Sequence, residues 1–170
     1  MTVYTHRDVN VLAIETSCDE TACSIVRNGR EVLSNAIFTQ MHIHREYGGV
    51  VPEIASRNHL EKINDVVDKA ILDAGLHKED IDVIAVTSTP GLIGALVVGV
   101  ATAKTMAYAL SKPLVGVHHI AGHIAANYLD HRELEPPFIS LVISGGHTSV
   151  IDVKDYNEHE VIGQTLDDAA

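Results

Sequence analysis

Asn28-Gly29 stands between two runs of β-forming residues, and no other short feature limits the fold of this chain as much. "TACSIVRNGR" (21–30) alternates up to the pair, and "EVLSNAIF" (31–38) resumes after it. Asn-Gly accepts the positive φ of a two-residue hairpin turn, so the two runs pair antiparallel. "VNVLAIET" (9–16) precedes them as a short apolar run and reads as a buried strand. The chain therefore opens as a three-stranded antiparallel meander.

The hydrophobic period then changes. "TQMHIHREYGGV" (39–50) reads as a loop, with His42 and His44 on one side if it is extended. From 51 to 76, Ile54, Ala55, Ile63, Val66, Val67, Ala70, Ile71 and Ala74 recur near the helical period. Pro52 suits the first helical position and Gly75 the C-terminal cap. A buried strand is expected at 81–89, a helix at 94–110 ended by Lys112-Pro113, a strand in "PLVGVHH", and a further helix in the histidine stretch that follows. A meander followed by strand–helix alternation predicts an α/β fold with a mixed sheet of about five strands.

"HRELEPP" (131–137) is a polar break, which divides the chain into domains 1–137 and 138–170. "FISLVISGGHTSVIDVKDYNEHEVIGQT" then restarts the opening theme of strand, turn and alternating strand. "TLDDAA" resembles a helix start, with Thr165 as N-cap and Asp168 at N3. A helix that has only begun suggests a piece of a longer chain.

Composition narrows the function. The chain has 170 residues, enough for an ordinary core, but only 4% are aromatic, so that core is built from Val, Ile, Leu and Ala. The net charge of −11 argues against tight, autonomous binding of nucleic acid, though not against a subunit handed its RNA by a partner. Cys18 and Cys23 are too few for a disulfide framework, and their C-x4-C spacing is wider than a usual metal knuckle. "MTVYTHRDVN" resembles no secretory signal, so a cytoplasmic protein with reduced thiols is expected. Residues 91–110 are long enough for a membrane span, but Lys104 lies inside and a strand pattern precedes them, so a buried helix and no membrane are expected.

Three stretches can carry chemistry. His118, His119 and His123 lie within "VGVHHIAGHIAANYLD" (115–130). On a helix, His119 and His123 share a face and can reach one ion, whereas His118 points elsewhere; cap or surface histidines are the plainer alternative. Ile120 stands where H-E-x-x-H peptidases carry glutamate, which disfavours a metalloprotease. "TPGLIGALVVG" places Gly91 and Gly94 at a strand-to-helix turn that can cradle a phosphate or simply pack closely. "ETSCDET" (15–21) gathers Glu15, Asp19 and Glu20 with the hydroxyls of Thr16, Ser17 and Thr21. Such a turn can face a phosphate, directly or through a hydrated cation, or be ordinary turn chemistry. Asp19 and Glu20 are its candidate catalytic carboxylates, and Ser17 and Thr21 its candidate phosphate contacts. Ser144, Gly145 and Gly146 form the matching turn of the second half. Two facing strand–turn–strand units are the plan of the actin-like ATPase and sugar-kinase fold, which is ribonuclease H-like.

"VLAIETSCDET", "GGVVPEIASRNH", "TPGLIGALVVGVATAK", "GVHHIAGHIAA" and "LVISGGHT" occur in that order. Together they resemble the tRNA N6-adenosine threonylcarbamoyltransferase family, formerly called O-sialoglycoprotein endopeptidase, over nearly all of residues 9–170. The resemblance implies the N-terminal lobe of the actin-like fold plus the first strands of the second lobe. It implies transfer of a threonylcarbamoyl group from threonylcarbamoyl-AMP to N6 of the adenosine beside the anticodon (t6A formation). It implies one divalent metal, Fe(2+) or in some members Zn(2+), on His119, His123 and an aspartate beyond this chain. An adenine nucleotide, threonylcarbamoyl-AMP or ATP, is the implied ligand, with substrate contacts at Val142, Ile143, Ser144, Gly145 and Gly146. The implied partners are tRNA, an actin-like-fold paralogue and a small P-loop ATPase. Ile120-Ala121 departs from some members without touching the ligand positions. Family members continue past "LDDAA" into a full second lobe, so activity of this chain alone is in question. The alternative reading is a non-catalytic scaffold of the same fold, which would have no need of the histidine pair.

Overall fold

The structure, a computed structural model, describes residues 7–144 and 147–166. It divides into two compact units, Met1–His119 and Ile120–Ala170.

The first unit is built on a five-stranded sheet of order β3-β2-β1-β4-β5. β1 (Asn10–Glu15), β2 (Glu20–Arg27) and β3 (Glu31–Thr39) form the expected antiparallel meander. Asn28 and Gly29 take φ of 52° and 69°, as a hairpin turn between right-twisted strands requires. β4 (Val83–Thr89) and β5 (Leu114–His118) join parallel to β1, which makes the sheet mixed. Register puts Leu12 opposite Ile25 and Ile14 opposite Cys23, all four in the core. Because side chains alternate along a strand, this pairing gives the sheet one apolar face.

Two helices cover that face. α2 (Pro52–Asp73), preceded by the short α1 (Met41–His44), lies over β2 and β3, while α3 (Ile93–Leu110) lies over β4. α2 begins with Pro52 and ends in a Schellman motif: Leu76 N–H donates to Ile71 O, Gly75 N–H donates to Leu72 O, and Gly75 has φ 67°. Ile63, Val66, Val67, Ala70 and Ile71 fill the core together with Ile81, Ile84, Val86, Ala103 and Ala107.

Two expectations are corrected here. Residues 41–47 are not a loop: α1 is followed by a 3-10 turn (Arg45–Tyr47) that ends at Gly48 in the left-handed region. In a helical backbone residues two apart diverge. His42 is accordingly exposed and His44 buried, rather than side by side. α3 is not a buried helix either. By length and composition it could cross a membrane. It buries only Ala95, Gly99, Ala103 and Ala107 and leaves Ile93, Val97 and Tyr108 82%, 59% and 89% exposed. Its small residues let it approach the sheet closely, Val98, Val100, Met106 and Leu110 pack against the core beside them, and Ile93, Val97 and Tyr108 face away.

The second unit holds all of α4 (His119–Asp130) but its first residue, and an antiparallel sheet of β6 (Phe138–Ser144), β7 (His147–Asp155) and β8 (Glu158–Gln164). Ile124, Val142, Ile151 and Val153 form its core, flanked by Ile120 and Phe138. Tyr128 meets the Phe138 ring edge-on at 6.0 Å. Ile139, Leu141 and Ile143 point away from this core and are exposed. The helix start expected at "TLDDAA" falls mostly outside the described residues.

Candidate functional site

β1 ends at Glu15, and the chain turns through Thr16–Asp19 before β2 begins. Parallel pairing of β4 with β1 and of β5 with β4 brings Thr87 and His119 to this same end of the sheet. Glu15 is the acceptor for all of them. One carboxylate oxygen takes the Ser17 amide N–H; Oε2 takes the Thr87 hydroxyl at 2.6 Å and His119 Nδ1 at 3.2 Å. Burial by itself would raise the Glu15 carboxyl. The hydrogen bonds from Ser17, Thr87 and His119 together outweigh it and hold the group below its usual range. Glu15 is therefore a carboxylate, and His119 Nδ1 carries a proton toward it. In the neutral tautomer that this contact favours, the acceptor nitrogen of the ring is Nε2. Ser17 Oγ also lies 3.2 Å from His119 Nδ1.

The turn itself is built inward. Thr16, Ser17 and Thr21 are buried, whereas Glu20 is exposed and Asp19 half-exposed. Thr16 Oγ1 donates to Ala95 O at 2.9 Å. Thr21 Oγ1 lies 2.8 Å from His59 Nδ1, and His59 Nε2 donates to Cys18 O at 2.9 Å. Thr21 is thus corrected as a phosphate contact, because its hydroxyl is spent inside the core. Gly91, by contrast, is exposed at the turn before α3. A Cβ there would sit 2.6 Å from Ser17 O, and the next amide, Leu92 N–H, already donates to that oxygen at 2.8 Å. Its glycine serves close packing of the α3 start on the turn, the alternative weighed above. At Gly94 a Cβ would meet the Ser56 hydroxyl at 2.9 Å, again a neighbour rather than an open cradle.

Asp19 also borders a cavity of about 690 Å³ with Met41, His42, Arg45, Gly48 and Val50. The two cysteines do not form a metal pair. Cys18 is exposed on the turn and Cys23 is in the core, where burial pushes its thiol up to about 12. His118, exposed, closes β5 opposite Thr89; His119 opens α4, and His123 follows one helical turn later, exposed. Val142 points into the core of its own unit, Ile143 is 64% exposed and Ser144 pairs with His147. Gly145 and Gly146 lie outside the described residues. Among the described residues no three His, Cys, Asp or Glu side chains cluster as a metal set.

Sequence reasoning missed Thr87 and His59 here, and the partners of Glu15. Glu15 appeared as one of three turn carboxylates, without its partner. Thr87 carries no motif. His59 did have a signal, because it falls on the buried stripe of α2 between Ala55 and Ile63.

Solved structures of similar fold define the class. YeaZ from Pseudomonas aeruginosa superposes with a TM-score of 0.60 at 17% identity, covering 92% of this chain and 66% of that one. ROK hexokinase from Thermus thermophilus gives 0.52 at 15% identity, covering 92% and 48%. The fold is that of the actin-like ATPases and sugar kinases. Residues 31–170 match the TsaD family, tRNA N6-adenosine threonylcarbamoyltransferase, and the chain belongs to that family. The enzyme of that name from Clostridium perfringens is 62% identical over 94% of this chain, and the one from Clostridioides difficile 58% identical over 96%. The chain spans about half the length of these relatives, 47% and 48%.

Proposed function

We propose that this chain forms the N-terminal half of an enzyme that moves a threonylcarbamoyl group from threonylcarbamoyl-AMP to N6 of the adenosine beside the anticodon of tRNA. Family membership across 31–170 supports the reaction. The Glu15–His119 contact is the observation that carries the site. In the reaction the N6 amine attacks the carbamoyl carbon, the new C–N bond forms, the bond to the AMP phosphate oxygen breaks, and N6 loses a proton. Asp19 and Glu20, on the exposed side of the turn, are the carboxylates suited to take that proton. Within the second unit, the exposed Ile143 and the neighbouring Ser144 are the positions offered for contact with the adenylate.

One divalent metal, iron or zinc, is part of this reading, with His119 and His123 as two of its ligands. His119 and His123 recur at i and i+4 of α4, and a carboxylate behind Nδ1 orients a ligating imidazole through Nε2. When bound, the ion supplies Lewis acidity toward the carbamoyl or carboxylate oxygens of the adenylate. The net charge of −11 opposes tRNA binding by the chain alone, which supports delivery of tRNA with partner proteins, an actin-like-fold paralogue and a small P-loop ATPase. The cytoplasm, where tRNA is modified, is the fitting compartment.

The test is direct. The chain, extended to the length of its relatives and mixed with those partners, is given threonylcarbamoyl-AMP and unmodified tRNA. Nucleosides are then read by mass spectrometry. Appearance of t6A that depends on this chain supports the reading; transfer at the same rate without it refutes it.

A further inference from the structure

A buried chain of hydrogen bonds runs from the 48–51 loop to the acidic turn, and its direction can be assigned atom by atom. The carbonyl of Cys18 can only accept, so the His59 nitrogen that meets it at 2.9 Å, Nε2, carries the proton. Nδ1 of His59 is then a bare acceptor and takes the Thr21 hydroxyl at 2.8 Å. Gln40 Nε2 approaches the same Nδ1 at 3.5 Å and donates to Ala55 O at 3.3 Å, which fixes the amide so that Oε1 faces His44. His44 Nε2 therefore donates to Gln40 Oε1 at 3.2 Å, and its Nδ1 accepts the Val51 amide at 3.3 Å. Every donor meets an acceptor. The side chains involved are dry: His59 and Gln40 are 0% exposed and His44 is 4% exposed. Burial also lowers the basicity of His59, in keeping with a neutral ring.

Such a network costs more if broken than it contributes when whole, because each orphaned partner loses a hydrogen bond away from water. The α2 stripe would accept leucine or isoleucine at 59 without that liability. A neutral histidine there does one thing an aliphatic residue cannot: it holds the Cys18 peptide, and with it the backbone that carries Asp19 and Glu20.

We propose that His59 is a positioning residue that sets the Cys18–Glu20 backbone for group transfer, with Gln40 and His44 fixing its tautomer. The proposal rests on the functional reading above only for its consequence in catalysis; the positioning itself is a property of the fold.

Two measurements keep these apart. In the 170-residue chain, nitrogen-15 NMR reads the tautomer, and amide hydrogen exchange reads the turn. His59 shows the Nε2–H form, and exchange at Cys18–Glu20 is the same in wild type and in His59→Gln, whose amide supplies both the donor and the acceptor. Exchange there accelerates at least about tenfold in His59→Leu and in Thr21→Val. An Nδ1–H tautomer, or equal exchange in all four proteins, overturns the proposal. In the longer enzyme, His59→Leu lowers kcat about tenfold with KM for tRNA unchanged, and His59→Gln restores it. Wild-type kcat in His59→Leu overturns the catalytic consequence. If the wild-type enzyme makes no t6A, the functional reading fails, while the tautomer and exchange results still decide the positioning.

Discussion

Glu15 Oε2 and His119 Nδ1 lie 3.2 Å apart although 104 positions separate them in the chain. Neither residue reaches the other through local structure. β1 carries the first, the β5–α4 junction carries the second, and β4 between them supplies Thr87 to the same oxygen. The sheet order thus converts three unremarkable positions into an oriented imidazole.

The carboxylate should matter to metal retention before it matters to anything else. Glu15→Ala, made in the chain extended to the length of its relatives, is expected to lower metal affinity about 10- to 100-fold, with Glu15→Asp intermediate. Competition against a chromogenic chelator measures it. Unchanged affinity would mean that His119 needs no support from Glu15.

Acid should remove the stabilisation that Glu15 provides. Its folded pKa lies below the ordinary carboxylate value, so its contribution is complete above that value and is lost as pH falls through the depressed one. Urea melts of wild type and Glu15→Gln should differ most at neutral pH and converge as pH falls through that depressed value. A gap that widens toward acid would reverse the assigned sign.

The seat of α3 predicts a steric penalty. A Cβ at Gly99 would stand 2.3 Å from Thr16 Oγ1, and Thr16 is buried and bonded to Ala95 O. Gly99→Ala should cost about 1–3 kcal/mol in denaturant unfolding despite the better helix propensity of alanine. A stabilised variant would show that Thr16 yields freely.

Net charge predicts weak, salt-sensitive association with RNA. With −11 on the chain, gel-shift titration of the isolated protein at physiological salt should show no complex with tRNA tighter than about 10⁻⁶ M. Tight binding would reveal a local basic surface that outweighs the total.

Much of the architecture was legible because it is written in local periodicity. Asn28-Gly29 announced the hairpin, Pro52 and Gly75 bracketed α2, and Leu12 and Ile14 alternate as a half-buried strand must. Residues 41–47 were misread because one turn of helix leaves no period to see. The exposure of Val97 and Tyr108 was hidden because the apolar surface of α3 surrounds it, so hydropathy could not tell the packed side from the open one. In the site, the i, i+4 spacing of His119 and His123 was visible along the chain. The Glu15–Thr87–His119 convergence was not, because it depends on which strands lie side by side. Thr21 pointed inward for a reason invisible in its motif, namely the imidazole of His59 beneath it.

The most direct test of the central claim compares neighbouring histidines. Metal content after dialysis is measured for the longer protein and for its His119→Ala and His118→Ala variants. His119, held by Glu15 at the start of α4, is expected to be required; His118, which ends β5 opposite Thr89, is not. Wild type and His118→Ala are expected to retain the ion, and His119→Ala to lose it. Loss on removing His118 with retention on removing His119 would contradict that claim.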